Sequence, residues 1–333
     1  MTVLGASIGT AVAEDETGDP LGALADVTAE SSEPATDVLA DVAQVPTTDT
    51  GATAVDVSLD GTDVVVPTDP SDPLTLDSST LGTSVEVTLP FAEQADAAEV
   101  ESPGIVSYDN GNGTTTVPVV KEDGALQITT VIADRDAPSR FDYVVSLDEG
   151  SQMVIDGEGV VQILDPAGAM TAGFAPAWAK DANGVDVPTH YEVAGSTLTQ
   201  VVDHSSPDLV YPVVADPFLG INLLAGVWKN RPGGYSYGNG NQWSTRLSPW
   251  GMAVWTGAGS PFGAAYGNSV VRTKGWDEFV SRGGSSLTTV RQQYECHVVF
   301  GYAVWLAGFW WDFETARPTN SRWLTNPQRC NFT

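Results

Sequence analysis

The 333-residue chain carries a formal net charge of −29, with 43 acidic against 14 basic residues, a balance that argues against nonspecific attachment to nucleic acid or anionic membranes. The length allows two domains or more, and the charge is divided unevenly along it. No Lys or Arg precedes Lys121; residues 1–216 hold 4 basic and 38 acidic residues (net −34), whereas residues 217–333 hold 10 basic and 5 acidic ones (net +5) and nine of the ten Trp. A jump of that size marks a boundary between unlike parts.

Residues 1–13 are apolar or small, and Ala11-Val12-Ala13 before Glu14 has the form of a signal-peptidase site without the basic n-region. The stretch reads as a signal-peptide remnant whose start lies upstream, with a frayed N-terminus as the plain alternative. Residues 14–50 are rich in Ala, Asp, Glu, Thr and Pro and lack aromatic and basic residues. Such a segment buries too little apolar surface to offset its ordering entropy, so an acidic disordered tether is expected, the alternative being a helix over Leu21–Val42.

From about residue 51 the pattern turns to short β-type runs. Ala54–Leu59 and Val85–Leu89 alternate apolar and polar residues, and Asp109-Asn110-Gly111-Asn112-Gly113 is a hairpin or loop signal because Gly and Asn adopt positive φ cheaply. Further strands are expected at Thr114–Val120, Ala125–Ala133, Arg140–Leu147, Gln152–Ile155, Val160–Leu164, Ala169–Ala175, Thr189–Val193 and Thr197–Val202, with turns at Asp156-Gly157, Asn183-Gly184 and Ala194-Gly195. Many short strands at that spacing predict an antiparallel β-sandwich-like module over 51–217. The segments Asp134–Arg140, Ala177–Asp181 and Tyr211–Pro217 (YPVVADP) resemble a β module of secreted actinobacterial proteins over about 100–217. That resemblance implies a delivery or presentation role and no activity.

Residues 218–242 follow as an apolar segment and a Gly/Tyr/Asn stretch, RPGGYSYGNGNQ, taken as a linker. The C-terminal domain is expected over 243–333. At under 100 residues it needs a staple, and a Cys296–Cys330 disulfide would contribute roughly 3–4 kcal/mol by the chain-entropy model. Two free thiols are the rival reading, and an even cysteine count fits an oxidising compartment. The apolar run Val298–Trp311 spans fourteen residues, short of the roughly 20 a membrane-spanning helix needs, and reads as buried strand or hairpin. No membrane span is expected.

Gln293-Tyr294-Glu295-Cys296-His297-Val298, then Trp311–Pro318 (WDFETARP), then Arg329-Cys330-Asn331 resemble the domain of unknown function 2599 family over about 243–333, with Leu247–Gly251 and Gly275–Phe279 upstream. The resemblance implies a small secreted domain with a disulfide and no established activity. The chain departs from the pattern in its long apolar Phe300–Trp310, where the family has a short polar stretch.

If Tyr294–Phe300 and Trp311–Phe313 are strands, Glu295 with His297 and Asp312 with Glu314 lie on accessible faces and become neighbours where the strands pair. A His among carboxylates suits general acid–base work; the plainer use is a solvated strand face with Glu314 paired to Arg317. No metal site or cofactor is expected. Of the aromatic residues, Trp243, Trp250 and Trp255 lie among Gly, Ser and Pro and are expected to be exposed, forming with Arg317 a stacking surface for a glycan, cell wall or protein partner. The small domain is thus expected to be a β-rich α+β fold closed by its disulfide in a mainly β, secreted protein. It serves as a non-enzymatic interaction protein or, alternatively, as a secreted enzyme or toxin-like effector.

Overall fold

The computed structural model describes residues 19–30, 36–79, 81–256, 268–300, 310–322 and 330. The expected signal remnant at 1–13 and Trp305 and Trp323 lie outside them. In chain order the elements are α1 (Pro20–Glu30), β1 (Thr53–Leu59), β2 (Thr62–Pro67), β3 (Leu74–Ser78), β4 (Thr83–Thr88), β5 (Glu99–Ser102), β6 (Ile105–Asp109) and β7 (Thr114–Val120). Then come β8 (Leu126–Ile132), β9 (Arg140–Ser146), β10 (Gln152–Ile155), β11 (Val161–Leu164), β12 (Met170–Phe174), β13 (Ala179–Lys180), β14 (Thr189–Ala194) and β15 (Thr197–Val202). The rest are β16 (Val213–Ala215), β17 (Phe218–Gly220), β18 (Leu224–Lys229), β19 (Gln242–Leu247), α2 (Pro249–Thr256), α3 (Asn268–Ser281), α4 (Thr288–Phe300) and β20 (Trp311–Glu314). Strand makes up 38% and helix 16% of the described residues, so the fold is mainly β.

One sheet runs β1-β2-β3-β4-β9-β15-β14 and a second runs β10-β11-β12-β17-β8-β7-β6-β5, with β13 and β16 joined to it beside β8. Their inner faces share one core, in which Val64, Leu76, Phe141 and Leu198 of the first sheet meet Leu126, Ile128, Ile163 and Phe174 of the second. The sequence pattern reports each strand's place. In β9 exposed and buried residues alternate without a break, as in a strand with one wet face. All seven residues of β8 are buried. Leu126, Ile128 and Ile132 enter the inter-sheet core, while Val131 joins a second core on the far side of the sheet.

That second core corrects the reading of residues 14–50. Among the described residues they form packed structure: Ala23, Leu24 and Val27 of α1 and then Val38 bury against the outer face of the second sheet. Asp19 caps the helix, its Oδ1 accepting the Gly22 N–H at 2.9 Å, and Pro20 takes the first helical position, where its missing N–H costs nothing. Burying Leu24 or Val27 is worth about 1.5–3 kcal/mol each, a gain that average composition hides. Lys121, the first cation of the chain, is buried beneath the following segment and donates from Nζ to the carbonyls of Val38 (2.5 Å) and Ala40 (2.9 Å).

The linker at 218–242 and the boundary at Trp243 are corrected likewise. Phe218–Gly220 is a strand of the second sheet, and Leu224–Lys229 pairs with β19, so what remains is the short link 221–223 and the loop 230–241, the connection between β18 and β19. The C-terminal part comprises the antiparallel sheet β18-β19-β20 and helices α2, α3 and α4. Its core is continuous with that under α1. Trp250 forms the joint. It packs so close to Gly220 that a Cβ there would lie 2.5 Å from the indole, and its Nε1–H donates to the Phe218 carbonyl at 3.1 Å. Among the described residues no helix is long and apolar enough to cross a membrane.

Candidate functional site

Residues 288–300 form a helix where a strand was expected over Tyr294–Phe300. Val290, Tyr294 and Val298 recur every fourth residue and bury one stripe. The period-two reading of Tyr294, Cys296 and Val298 fitted the same residues, since all three are buried in either case. Cys296, on this helix, is joined to Cys330 by the disulfide, with Cα atoms 5.3 Å apart. Gln293 reaches β20, where its Nε2 donates to the Glu314 carbonyl at 3.0 Å and its Oε1 accepts the Glu314 N–H at 2.9 Å. The side-chain amide thus satisfies backbone groups of β20 as a further strand would.

The helix separates the four residues expected to converge. His297 Nδ1 lies 2.8 Å from the Gln293 carbonyl, which can only accept, so Nδ1 carries the proton. The ring packs on Trp311 and Phe313, centroids 4.8 and 5.7 Å away, and burial pushes its pKa down to about 4. Asp312 projects from the opposite side of β20, because neighbouring strand residues alternate faces. Its Oδ1 accepts from Ser244 Oγ and Gln242 Nε2, both at 2.5 Å, and its Oδ2 accepts the Tyr235 N–H at 2.6 Å. Arg231 stands 3.5 Å away. Glu314 is buried rather than accessible. It forms an ion pair with Arg317, and burial raises its pKa. Glu295 turns toward α3, between Arg291 (2.8 Å) and Arg272 (3.9 Å). The anticipated acid–base group is divided among a helix, two faces of a strand and a buried ion pair.

The tryptophan assignments change as well. Trp250 and Trp255 are 0% and 1% exposed, and their indole N–H groups donate to the Phe218 and Val298 carbonyls, both at 3.1 Å. Ser248-Pro249 is a helix start rather than a surface loop: Ser248 Oγ accepts the Gly251 N–H at 2.8 Å and Pro249 opens α2. Trp243 is half-buried, with the Lys229 ammonium 5.7 Å above its ring and Phe279 beside it.

The aromatic surface lies elsewhere. Cross-strand partners in β18, β19 and β20 share a face. One side therefore carries Trp243, Trp311 and Phe313 against the helices, and the other carries Trp228, Arg246 and Asp312. On that outer side Trp228 is 38% exposed and meets Trp310 edge to face at 4.3 Å. The guanidinium groups of Arg231 and Arg246 lie 4.8 and 5.1 Å from the Trp310 ring centre. Tyr235 (60% exposed) and Tyr237 border the same side, and Arg317 lies 4.4 Å from the Tyr237 ring centre. Sequence reasoning missed Trp228 and Arg231 because 218–242 was read as linker, and Arg246, beyond that stretch, was not singled out. The available signal was Gly226-Val227-Trp228, a glycine two residues before a tryptophan on one strand face.

Two carboxylates hold the seam between the halves. Glu278 accepts the Leu223 and Leu224 N–H groups at 2.7 and 3.1 Å and is paired with Arg282 at 3.0 Å; burial pushes its pKa up to about 7. Asp123, pushed up to about 6 by burial, accepts from Ala125 N–H and, at 3.4 Å, from the Trp250 N–H at the start of α2. A groove of about 430 Å³ opens beside Trp178 and Tyr191, and a cleft of about 250 Å³ lies between Leu81, Met170 and Ile221 and the α3 residues Lys274 and Glu278. None of the site residues expected from sequence lines either one. No family model, no curated protein and no solved structure matches the chain, which leaves this geometry as the ground for assigning a function.

Proposed function

We propose that the protein works outside the cytoplasm as a non-enzymatic interaction protein, its β module presenting the C-terminal sheet to a glycan, cell wall or protein partner. The reading rests on one observation above all: the outer face of the three-stranded sheet exposes Trp228 and Tyr235 beside arginines stacked on Trp310. Aromatic edges next to hydrogen-bonding guanidinium groups are the composition of recognition surfaces. Export is supported by the disulfide. The alternative, an enzyme or toxin-like effector, draws less support, since His297 and Asp312 lie on opposite sides of β20.

The test is co-sedimentation of the oxidised full chain with insoluble peptidoglycan and wall polysaccharide. Trp228→Ala combined with Trp310→Ala should weaken binding about tenfold or more, the loss of one to two well-placed stacking contacts. Binding that is unaffected by this double substitution would overturn the assignment of the face.

A further inference from the structure

Resting on that reading, we propose that the ligand of the outer sheet face is an anionic polysaccharide, a chain of sugar rings bearing carboxylate or phosphate groups. The first argument is the state of the cations. Arg246, on the face, stands beyond ion-pair distance of any carboxylate among the described residues and lies over Trp310 instead. Arg231 has only Asp312, at 3.5 Å, and that carboxylate already accepts from Ser244, Gln242 and the Tyr235 N–H. A guanidinium presents a planar fork that matches a carboxylate or phosphate bidentately, and among the described residues the Arg246 fork holds no ion pair, Asp60 feeling its charge only from a distance.

The second argument is the distribution of charge over the chain. Residues 1–216 carry net −34 and residues 217–333 net +5. A polyanion is repelled by most of the molecule and drawn to this end, so the charge asymmetry fixes one binding orientation as well as one sign. The third argument separates a glycan from a protein. A stable protein interface needs a desolvated apolar centre. Among the described residues, the large apolar side chains exposed on the C-terminal part are Trp228, Tyr235 and Leu287, which do not make one. A sugar ring needs only an aromatic surface and polar groups at its rim, and Trp228 with Arg246 supplies both.

The experiment titrates the oxidised full chain, by tryptophan fluorescence, with polygalacturonate and with the same polymer fully methyl-esterified and therefore neutral. Polygalacturonate should bind about tenfold or more tightly than the ester, with an affinity that falls as salt rises. Arg246→Ala with Arg231→Ala should remove most of that difference, while Trp228→Ala should weaken both polymers. Equal binding of the two polymers overturns the inferred anionic ligand and leaves the glycan reading standing; binding of neither overturns both. Poly-glutamate or an oligothymidylate that binds as tightly as polygalacturonate overturns the sugar and points to an acidic protein or a nucleic acid.

Discussion

The two sides of the C-terminal sheet use the same residue types for opposite ends. On the inner side Trp311, Phe313 and His297 pack together, and the nearby buried Trp250 and Trp255 direct their indole N–H groups to backbone carbonyls. On the outer side Trp228 and Trp310 meet guanidinium groups and water. Alternation along three short strands makes the difference, since one residue's step reverses the face. An aromatic residue's neighbours in sequence therefore say less about its exposure than its parity within the strand, and the Gly, Ser and Pro around Trp250 are there to let it in. A Cβ on Gly251 would lie 2.0 Å from the Leu223 carbonyl oxygen.

The strongest way to break this comparison is to truncate one ring from each side. Trp250→Ala removes a fully buried indole and leaves the Phe218 carbonyl without its donor, a loss of about 3–5 kcal/mol. Trp228→Ala, exposed, should stay within about 0.5 kcal/mol. Urea midpoints of the two variants measure the contrast, and similar losses would mean that the outer face is core after all.

Reduction of Cys296–Cys330 comes next. The sequence separation is 34, for which release of the unfolded-chain constraint costs about 3–4 kcal/mol. Because the core under α1 continues through Trp250 into the C-terminal helices, the reduced protein should still unfold in a single transition by both far-UV and tryptophan signals. Two separated transitions would restore the C-terminal part as an independent domain.

The β module was largely legible, because a strand with one wet face writes its period in the sequence, as Arg140–Ser146 does. Hairpin signals such as Asp109–Gly113 fell between paired strands. What misled was composition averaged over long windows. The start signal Asp19-Pro20 was overlooked within an acidic stretch, and Phe218–Lys229 was grouped with the Gly-rich loop it precedes. At Tyr294–Phe300 aromatic and β-branched residues suggested a strand; the four-residue recurrence of Val290, Tyr294 and Val298 decided for a helix. The disulfide followed from counting cysteines, but the site did not. Its members come from β18, β19, the loop between them and the approach to β20, and nothing local in the sequence joins these.

A smaller effect separates the seam from the sheet through pH. Glu278 is raised from 4.5 to about 7 and Asp123 from 3.8 to about 6, in both cases chiefly by burial. The folded state holds these protons more tightly than the unfolded chain does. Their contribution to stability is therefore complete below the unfolded values and is lost as pH rises through the folded ones. His297 runs the other way. Lowered from 6.5 to about 4, it contributes above pH 6.5 and its contribution is lost as pH falls through 4. Between pH 6.5 and 8 Glu278 dominates, so the stability read from the urea midpoint should fall with rising pH by on the order of 0.5–1 kcal/mol. Glu278→Gln, which keeps the shape beside Arg282 without the titration, should flatten most of that limb. A wild-type midpoint constant over this range would place Glu278 in contact with water and open the seam.

The smallest expected change in stability sharpens the comparison most. A Cβ on Gly226 would meet the outer end of the Trp228 ring at 1.9 Å, so the indole lies folded over that glycine on the outer face. Gly226→Ala must displace the ring, and since the colliding atoms are the far end of an exposed side chain, the cost to folding should remain below about 1 kcal/mol. Polysaccharide binding should nevertheless fall toward the level of Trp228→Ala, because stacking requires the ring in its place beside Trp310. An inner-face residue has no such separation of effects, since whatever moves Trp250 also opens the core. If Gly226→Ala binds as wild type does, the position of Trp228 is not what the ligand reads, and recognition must rest on Trp310 and its two arginines.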